Sequence, residues 1–316
     1  MQAFLKEDGV EMGPFIIRRI LFIVPIILGI SLITFTLMYS VPGGPFDTEG
    51  IQSEETLRAL ERIYNLDKPV WQQYLLYIGG IARGDFGTSF RYRNLKVSEI
   101  IMDRFQVSLT LGLVSLCFTV VLGLAFGIIG AIKQNTIIDY FVMLLATVGY
   151  SIPNFAISVI LLLFFSLILG LFPVGGWGTA KHVVLPAFAL SLPWVSLLAR
   201  LSRASMLETL RADYIRTARA KGLKESIVIY KHALRNAAIP MVTVMGTIFS
   251  QLITGSMAIE TIFGLPGIGQ YMVISISSAD YTMIMGLTLF FTLIVVFVNL
   301  AVDLSYAFID PRIRHD

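Results

Sequence analysis

The segment Arg211–Pro240, RADYIRTARAKGLKESIVIYKHALRNAAIP, is a polar island in an otherwise apolar chain. From Arg200 to Arg235 the chain has nine basic and three acidic residues, with long apolar runs on both sides. They are Arg200, Arg203, Arg211, Arg216, Arg219, Lys221, Lys224, Lys231 and Arg235, against Glu208, Asp213 and Glu225. Such an interval lies in water between two membrane spans, and loops rich in Lys and Arg stay in the cytoplasm. The segment therefore predicts a cytoplasmic loop.

Residue types within this loop predict a helix, a corner and a second helix. Ala212–Lys221 is rich in strong helix formers, Gly222 offers the backbone freedom for a sharp corner, and Glu225–Leu234 resumes helical spacing of apolar residues. Pro240 then falls in the first turns of the next span. Two interpretations stay open on this evidence. The loop either only orients the protein in the membrane, or is a surface on which an energy-supplying subunit acts.

The composition of the 316-residue chain indicates a polytopic membrane protein. Hydrophobic residues make up 56% and charged residues 14%, with a mean hydropathy of +0.77. Soluble domains have about 25% charged residues, which excludes an ordinary soluble fold. The net charge of +3 is small and the basic residues are clustered, so nucleic acid is not needed to explain them. Cys117 is the only cysteine, which excludes an internal disulfide and a Cys-based metal site.

We divide the chain into four parts. These are a cytoplasmic N-terminus at 1–17, a first span at 18–40, an outer helical subdomain at 41–105, and a five-helix core at 106–316 with its cytoplasmic loop at 205–236. The first apolar run is too long for a signal-peptide core and lacks a small-residue cleavage site. We therefore expect a retained span, with the arginine pair that precedes it on the cytoplasmic side.

The outer subdomain is the longest hydrophilic part of the chain. Glu54–Asn65 places its apolar residues on one helical face, and Val70–Ile81 is a second and more apolar stretch. We expect short helices that lie on the membrane surface. They either face a soluble partner or form a stabilising cap over the spans.

The second span, Val107–Ile132, has Gly123, Gly127 and Gly130 along one side, a small-residue seam that lets helices approach closely. The third apolar run, Tyr140–Phe172, is longer than the twenty or so residues needed to cross a bilayer, and Pro153 interrupts it. Either one tilted helix is kinked at this proline, or two short spans flank a turn.

Charge decides between these alternatives. If the third run crosses once, the span Val183–Ala199 returns and the basic loop falls in the cytoplasm, as the positive-inside rule requires. Ala237–Ile259 then crosses outward, and Tyr281–Leu300 crosses back. We therefore predict an all-α protein with six transmembrane helices and both termini in the cytoplasm.

The assigned spans lack catalytic chemistry of their own. Their apolar cores have no Asp, Glu, Lys, Arg or His, whereas proton relays need ionisable groups in the membrane. No phosphate-binding GxxxxGK[ST] loop is present, so ATP would have to be split by another subunit. His182, His232 and His315 lack the spacing of metal ligands. We predict a non-enzymatic chain without metal or cofactor.

Two spans have stripes of uncharged polar residues. The residues of the fifth span are Thr243, Thr247, Ser250 and Thr254, with Gln251 beside them, and those of the sixth are Thr288, Thr292 and Asn299. Hydroxyl and amide groups are poorly matched to lipid, so these stripes should face protein or water. They either line a path for a polar substrate that is rich in hydrogen-bond donors and acceptors, or bond neighbouring helices.

Six stretches resemble a known family. They are YIRTARAKGL with HALRNAAIP ten residues after Gly222, LDKPVWQQY and GDFGTS in the outer region, and GLPGIGQYM and VDLSYAFIDPRIR near the end. Together they resemble the membrane subunits of binding-protein-dependent ABC importers, in the branch that carries dipeptides, oligopeptides and nickel. The resemblance covers Arg18 to Arg314.

The resemblance implies the type I importer permease fold and a coupling helix that docks on an ATPase subunit. The residues with that role would be Asp213, Tyr214, Arg216, Ala218, Ala220, Lys221 and Gly222. One departure is that the general importer pattern begins Glu-Ala-Ala six residues before the glycine, where this chain has Arg216, Thr217 and Ala218. The peptide branch tolerates that change.

The resemblance also implies the partners and the location. They are a homologous second permease, two ATPase subunits that hold ATP and magnesium, an extracytoplasmic binding protein and a peptide cargo moved by alternating access, all at a prokaryotic cytoplasmic membrane. A nickel chelate is the alternative cargo. A passive channel and a scaffold protein are the alternatives from other functional classes.

Overall fold

The computed structural model describes residues 12–40, 46, 54–92 and 95–309, and the side chains within them at 21–40, 46, 54–92 and 95–302. The described residues form helices, and no β-strand is found among them. The helices are α1 (Met12–Ser40), α2 (Glu54–Ile63), α3 (Val70–Ile81), α4 (Val97–Ile132), α5 (Ile137–Ser151), α6 (Asn154–Leu161), α7 (Ala180–Leu210), α8 (Asp213–Ala220), α9 (Glu225–Ile227), α10 (Leu234–Thr254), α11 (Met257–Ile262), α12 (Ile268–Ser277) and α13 (Tyr281–Ile309), with π-helical segments at Leu162–Ile168 and Val228–Ala233.

Among the described residues, five helical segments are long and apolar enough to cross a membrane, and a bent pair gives a sixth if its halves form one span. Two of these helices are longer than expected. Helix α4 begins ten residues before Val107, and α7 continues eleven residues past Ala199 to Leu210. Apolar content marks only the part of a helix that lipid covers, so polar extensions into water are missed. The extension of α7 leads directly into the basic loop.

The third apolar run is broken at the expected residue but is not a continuous kinked helix. Helices α5 and α6, the latter extended by its π-helical segment, make an angle of 106° across Ile152 and Pro153. Pro153 has φ −56° and ψ 137° and begins α6. Proline clashes with the preceding turn of an α-helix and pushes its predecessor towards extended backbone. Ile152 has that conformation, with ψ 130°.

One compact unit comprises the described residues up to Asp103 and from Met272 onward. In it α1 packs against α13, with Phe35, Met38, Ile284 and Met285 in a small core. Asp280, which is fully buried, accepts hydrogen bonds from the backbone N–H groups of Phe90 (3.1 Å) and Met283 (3.2 Å). A carboxylate at this position satisfies the free donors at the start of α13 and ties the loop that contains Phe90 to it.

The other unit, Arg104–Tyr271, is built around α7. Helices α5, α6 and α10 all contact it, and Leu190 and Leu198 of α7 are almost completely buried. The predicted glycine seam of α4 lies against this helix. A Cβ atom at Gly127 would be 2.7 Å from the carbonyl oxygen of Ala199, and one at Gly123 would be 2.9 Å from Leu198 Cβ. The seam therefore brings the two helices close together, as the spacing predicts.

Gly127→Ala is expected to reduce the amount of folded protein in the membrane. The added methyl would overlap backbone that cannot shift alone, and overpacking of this kind costs about 1–3 kcal/mol. Gly29→Ala in α1 is the matched control, because outside its own helix no atom in the described part of the chain lies within 4 Å of the added Cβ. The measurement is the fraction of detergent-extracted protein that stays monodisperse on heating. Equal fractions for the two variants would contradict close packing at the seam.

Candidate functional site

Helix α8, in the basic loop, is held against the protein by two residues one turn apart. Ile215 is completely buried and Ala218 is 7% exposed. Both belong to a core cluster that also contains Met206 from α7 and Val228 from the π-helical segment. Since the buried pair occupies one face of a short helix, the helix is fixed in orientation. Its opposite face has nothing over it in the described chain.

Most of the residues predicted to contact an ATPase lie on the outer side of this helix or just after it. Asp213, Tyr214, Arg216, Ala220, Lys221 and Gly222 are exposed, whereas Ala218 packs against the chain's own core. The Asp213 and Arg216 side chains are 96% and 78% exposed, and their ion pair of 3.5 Å is weak because water screens it. Asn236 Nδ2 donates to the hydroxyl of Tyr214 at 2.8 Å. The exposed residues therefore offer a negative charge and a positive charge to a partner.

Gly222 ends α8 in a Schellman motif. Its φ is +74°, in the left-handed region that favours glycine. The N–H of Gly222 donates to the carbonyl of Arg219 at 2.9 Å, and the N–H of Leu223 donates to that of Ala218 at 3.4 Å. These are the paired bonds of that motif. Apart from the chain neighbours, no atom of the described residues lies within 4 Å of a Cβ at this position, so the requirement for glycine comes from the backbone and not from space.

An ion pair spans the corner that Gly222 makes. Arg219 donates to Glu225 from Nη2 at 2.7 Å and from Nε at 3.2 Å, a two-pronged contact between α8 and α9. The hydrogen bond between them raises the pKa of Arg219 and lowers the pKa of Glu225, which favours the charged form of each. Both side chains are about half exposed, so water screens the pair. It fixes the angle of the corner and adds little to the free energy of unfolding.

A buried ion pair connects the extension of α7 with the start of α5. Arg203 donates from Nε to Asp139 Oδ1 at 2.7 Å and from Nη2 to Oδ2 at 2.6 Å. The Asp139 side chain is 2% exposed and also accepts from the backbone N–H of Asn135 at 3.0 Å. Parallel double bonds from a guanidinium fix both distance and angle. The sequence analysis did not identify this pair.

The polar stripe of α10 does not have a single environment. In this chain Thr247 and Gln251 are exposed, Thr243 and Thr254 are half-buried, and Ser250 is only 3% exposed. Thr243 and Thr254 donate to carbonyls four residues earlier in the same helix. The Ser250 hydroxyl has no hydrogen-bond partner among the described residues. Thr247 and Gln251 are therefore the members of the stripe with open side chains.

The stripe of α13 divides in the same way. Asn299 is exposed, Thr288 is half-buried, and Thr292 is 9% exposed and donates to the carbonyl of Thr288 at 2.8 Å. Helix-internal bonds of this kind let a threonine sit in apolar surroundings. Asn299 is thus the residue of this stripe that is free to meet a ligand or a neighbouring subunit.

Another buried carboxylate organises the segment after α10. Glu260, fully buried in α11, accepts hydrogen bonds from Ser108 Oγ and Ser256 Oγ, each at 2.6 Å, and from the backbone N–H of Gln270 at 3.0 Å. A Cβ at Gly267 would lie 2.5 Å from the Glu260 Oε2 atom. The GLPGIG stretch is therefore glycine-rich partly because its backbone passes directly over this carboxylate. The sequence analysis did not identify this contact.

Comparison with known proteins gives the family of the chain. Residues 123–315 match the family described as the binding-protein-dependent transport system inner membrane component, and residues 12–112 match the N-terminal part of the same kind of component. The chain belongs to this family. The resemblance to the membrane subunits of binding-protein-dependent importers, on which the sequence prediction relied, is therefore confirmed.

The relatives match the permease over nearly its whole length. The oligopeptide transport system permease protein OppB of Haemophilus influenzae is 41% identical over 303 residues, which is 95% of this chain and 99% of that relative. The dipeptide transport system permease protein DppB of Bacillus subtilis is 42% identical over 303 residues, 96% of this chain and 98% of that relative.

A solved structure supports the fold of the permease. A chain of the MetNI methionine ABC transporter, in an inward-facing conformation, superimposes with a TM-score of 0.56 at 20% sequence identity. The match covers 67% of this chain and 97% of that chain. The predicted all-α permease fold of a type I ABC importer is thus confirmed, whereas the side of the membrane on which each terminus lies stays a prediction.

Proposed function

We propose that the permease is one transmembrane subunit of an ATP-driven importer that moves dipeptides or oligopeptides across a prokaryotic cytoplasmic membrane by alternating access. The peptide cargo is supported by the names of relatives that are 41–42% identical over 95–96% of the chain. The energy source is a pair of separate ATPase subunits that bind ATP and magnesium. A homologous second permease and an extracytoplasmic binding protein complete the complex.

The observation that supports a coupling role is the way in which α8 packs on the rest of the chain. Its buried face, Ile215 and Ala218, is packed on the core that also holds α7 and α10, while its charged face is open. A partner that moves α8 would therefore move both long helices with it. Coupling of this kind needs a two-state element that the ATPase biases, and we propose that α8 and the helices beneath it form that element.

The function is tested by purifying the permease with the proteins that accompany it from its native membrane. After reconstitution in vesicles with the binding protein, a labelled tripeptide should accumulate only when ATP is hydrolysed. Flux without ATP would favour a passive channel. A chain that purifies without an ATPase and moves no peptide would favour a scaffold.

Cysteine labelling tests the path. In a Cys117→Ser background, Thr247→Cys and Gln251→Cys should react with a water-soluble thiol reagent in at least one nucleotide state, because both positions are exposed in this chain. Ser250→Cys is the control and should react much more slowly, because Ser250 is 3% exposed. The measurement is the labelling rate in the assembled complex with and without ATP. Protection of both positions in every state would remove them from the path.

A further inference from the structure

Helix α3 has an apolar face that the described chain leaves uncovered. Its sequence, VWQQYLLYIGGI, contains no charged residue, and none of its residues is fully buried. Val70, Trp71 and Leu75 are 49%, 62% and 59% exposed. Trp71 and Leu75 lie four residues apart and so share one face of the helix.

The other face of α3 is bound to the first span. Gln73 is hydrogen-bonded to the hydroxyl of Tyr39, and the hydroxyl of Tyr74 lies 2.9 Å from Ser31 Oγ. The Tyr74 ring packs on Phe35 with centroids 5.3 Å apart. Three turns of α1 therefore hold α3 alongside them.

These contacts fix the depth of α3 in the membrane. The apolar segment of α1 runs from Leu21 to Ser40, a length of 20 residues that matches the bilayer core of about 30 Å. At 1.5 Å per residue, Phe35 lies about 8 Å and Ser31 about 14 Å inside the Ser40 end. Since Tyr74 reaches both, α3 lies level with the outer part of this apolar segment and not above it.

The chain next to α3 points to lipid as the occupant of the open face. On α1, the residues Leu32, Ile33 and Leu37 are 52–62% exposed at the same depth, which is the surface a span presents to acyl chains. Helix α2, in contrast, has Glu54, Glu55, Arg58, Glu61 and Arg62 and cannot enter hydrocarbon without a large cost. Tryptophan is enriched where protein meets the membrane interface.

We infer that α3 is a half-immersed interfacial helix whose face with Trp71 and Leu75 contacts the acyl chains of the leaflet at the Ser40 end of α1. A helix suits this position because its backbone donors and acceptors are satisfied internally. The outer subdomain is thereby anchored in the leaflet through α3, while the charged α2 stays in water. The inference does not depend on the nature of the cargo.

Tryptophan quenching tests the inference in the complete complex in phosphatidylcholine vesicles. A Trp177→Phe, Trp194→Phe variant of the permease, assembled with tryptophan-free partner subunits, leaves Trp71 as the single tryptophan. Acyl-chain-brominated phosphatidylcholine should remove most of its fluorescence, and aqueous iodide should remove little. The matched control places the single tryptophan on α2 as Arg58→Trp, with Trp71→Phe added, and should show the opposite pattern.

The outcomes separate the possible occupants. Quenching of Trp71 by iodide and not by brominated lipid would place the face in water and overturn the inference. Quenching by neither would mean that a protein subunit covers it, which also overturns the inference. If the tryptophan replacements lower assembly, a nitroxide on Leu75→Cys in a Cys117→Ser background gives the same answer, since lipid exposure predicts greater accessibility to oxygen than to a water-soluble relaxation agent.

Discussion

Replacing Gly222 with valine is expected to lower peptide uptake fivefold to thirtyfold while the chain still inserts in the membrane. The residue is held at φ +74° by the Schellman motif that ends α8. A left-handed conformation costs an ordinary residue about 1–2 kcal/mol, and such an energy shifts an equilibrium by that factor. Because no atom of the described residues beyond the chain neighbours lies within 4 Å of the added Cβ, the effect is expected from the backbone of the corner.

Gly222→Asn is the matched control, since asparagine accepts left-handed backbone much better than valine. The measurement is labelled peptide accumulated per ATP hydrolysed in reconstituted vesicles, together with the amount of assembled complex. Valine should lower the ratio and asparagine should largely preserve it. Equal uptake by both variants and the wild type would contradict the role given to this corner.

The second large effect is expected at the buried ion pair of Asp139 and Arg203. Asp139→Ala should lower the free energy of unfolding by about 3 kcal/mol, because removal of one partner leaves a charge without its counterion. This is the lower end of the range for buried pairs, as the Arg203 side chain is 27% exposed. The double variant Asp139→Leu, Arg203→Met should recover most of the loss, since it leaves no unpaired charge.

The measurement for this pair is the heat resistance of the detergent-purified complex for Asp139→Leu alone, Arg203→Met alone and the double variant, beside Asp139→Ala. A double-mutant cycle then isolates the interaction energy from the other effects of each replacement. Additive losses would show that the two side chains are independent and would contradict the geometry.

The sequence predicts well those features that depend on local residue order. The three glycines of α4 recur at helical spacing, and their close approach to α7 is found. Gly222 follows a run of helix formers, and a left-handed corner is found there. Pro153 marks the break in the third apolar run, but its angle of 106° depends on how α5 and α6 pack against α7, which local propensity does not encode.

The features that the sequence did not reveal join distant residues. Asp139 and Arg203 are 64 positions apart, and Ser108 and Glu260 are 152 apart. A carboxylate near a span end has the same local pattern whether it is solvated or buried, so periodicity cannot identify its partner. The glycines around Ile268 were a usable signal for Glu260, because repeated glycine also marks close approach of backbone to another group.

The most direct test of the account is a cross-link from the exposed face of α8. A photoreactive amino acid at Arg216, which is 78% exposed, would be activated by light in the purified complex that hydrolyses ATP. The same residue at Glu61 of α2 is the control. The account predicts that Arg216 captures the ATPase subunit and Glu61 does not. Failure to capture it from Arg216 in a complex that still couples ATP to uptake would contradict the assignment of α8 as the coupling helix.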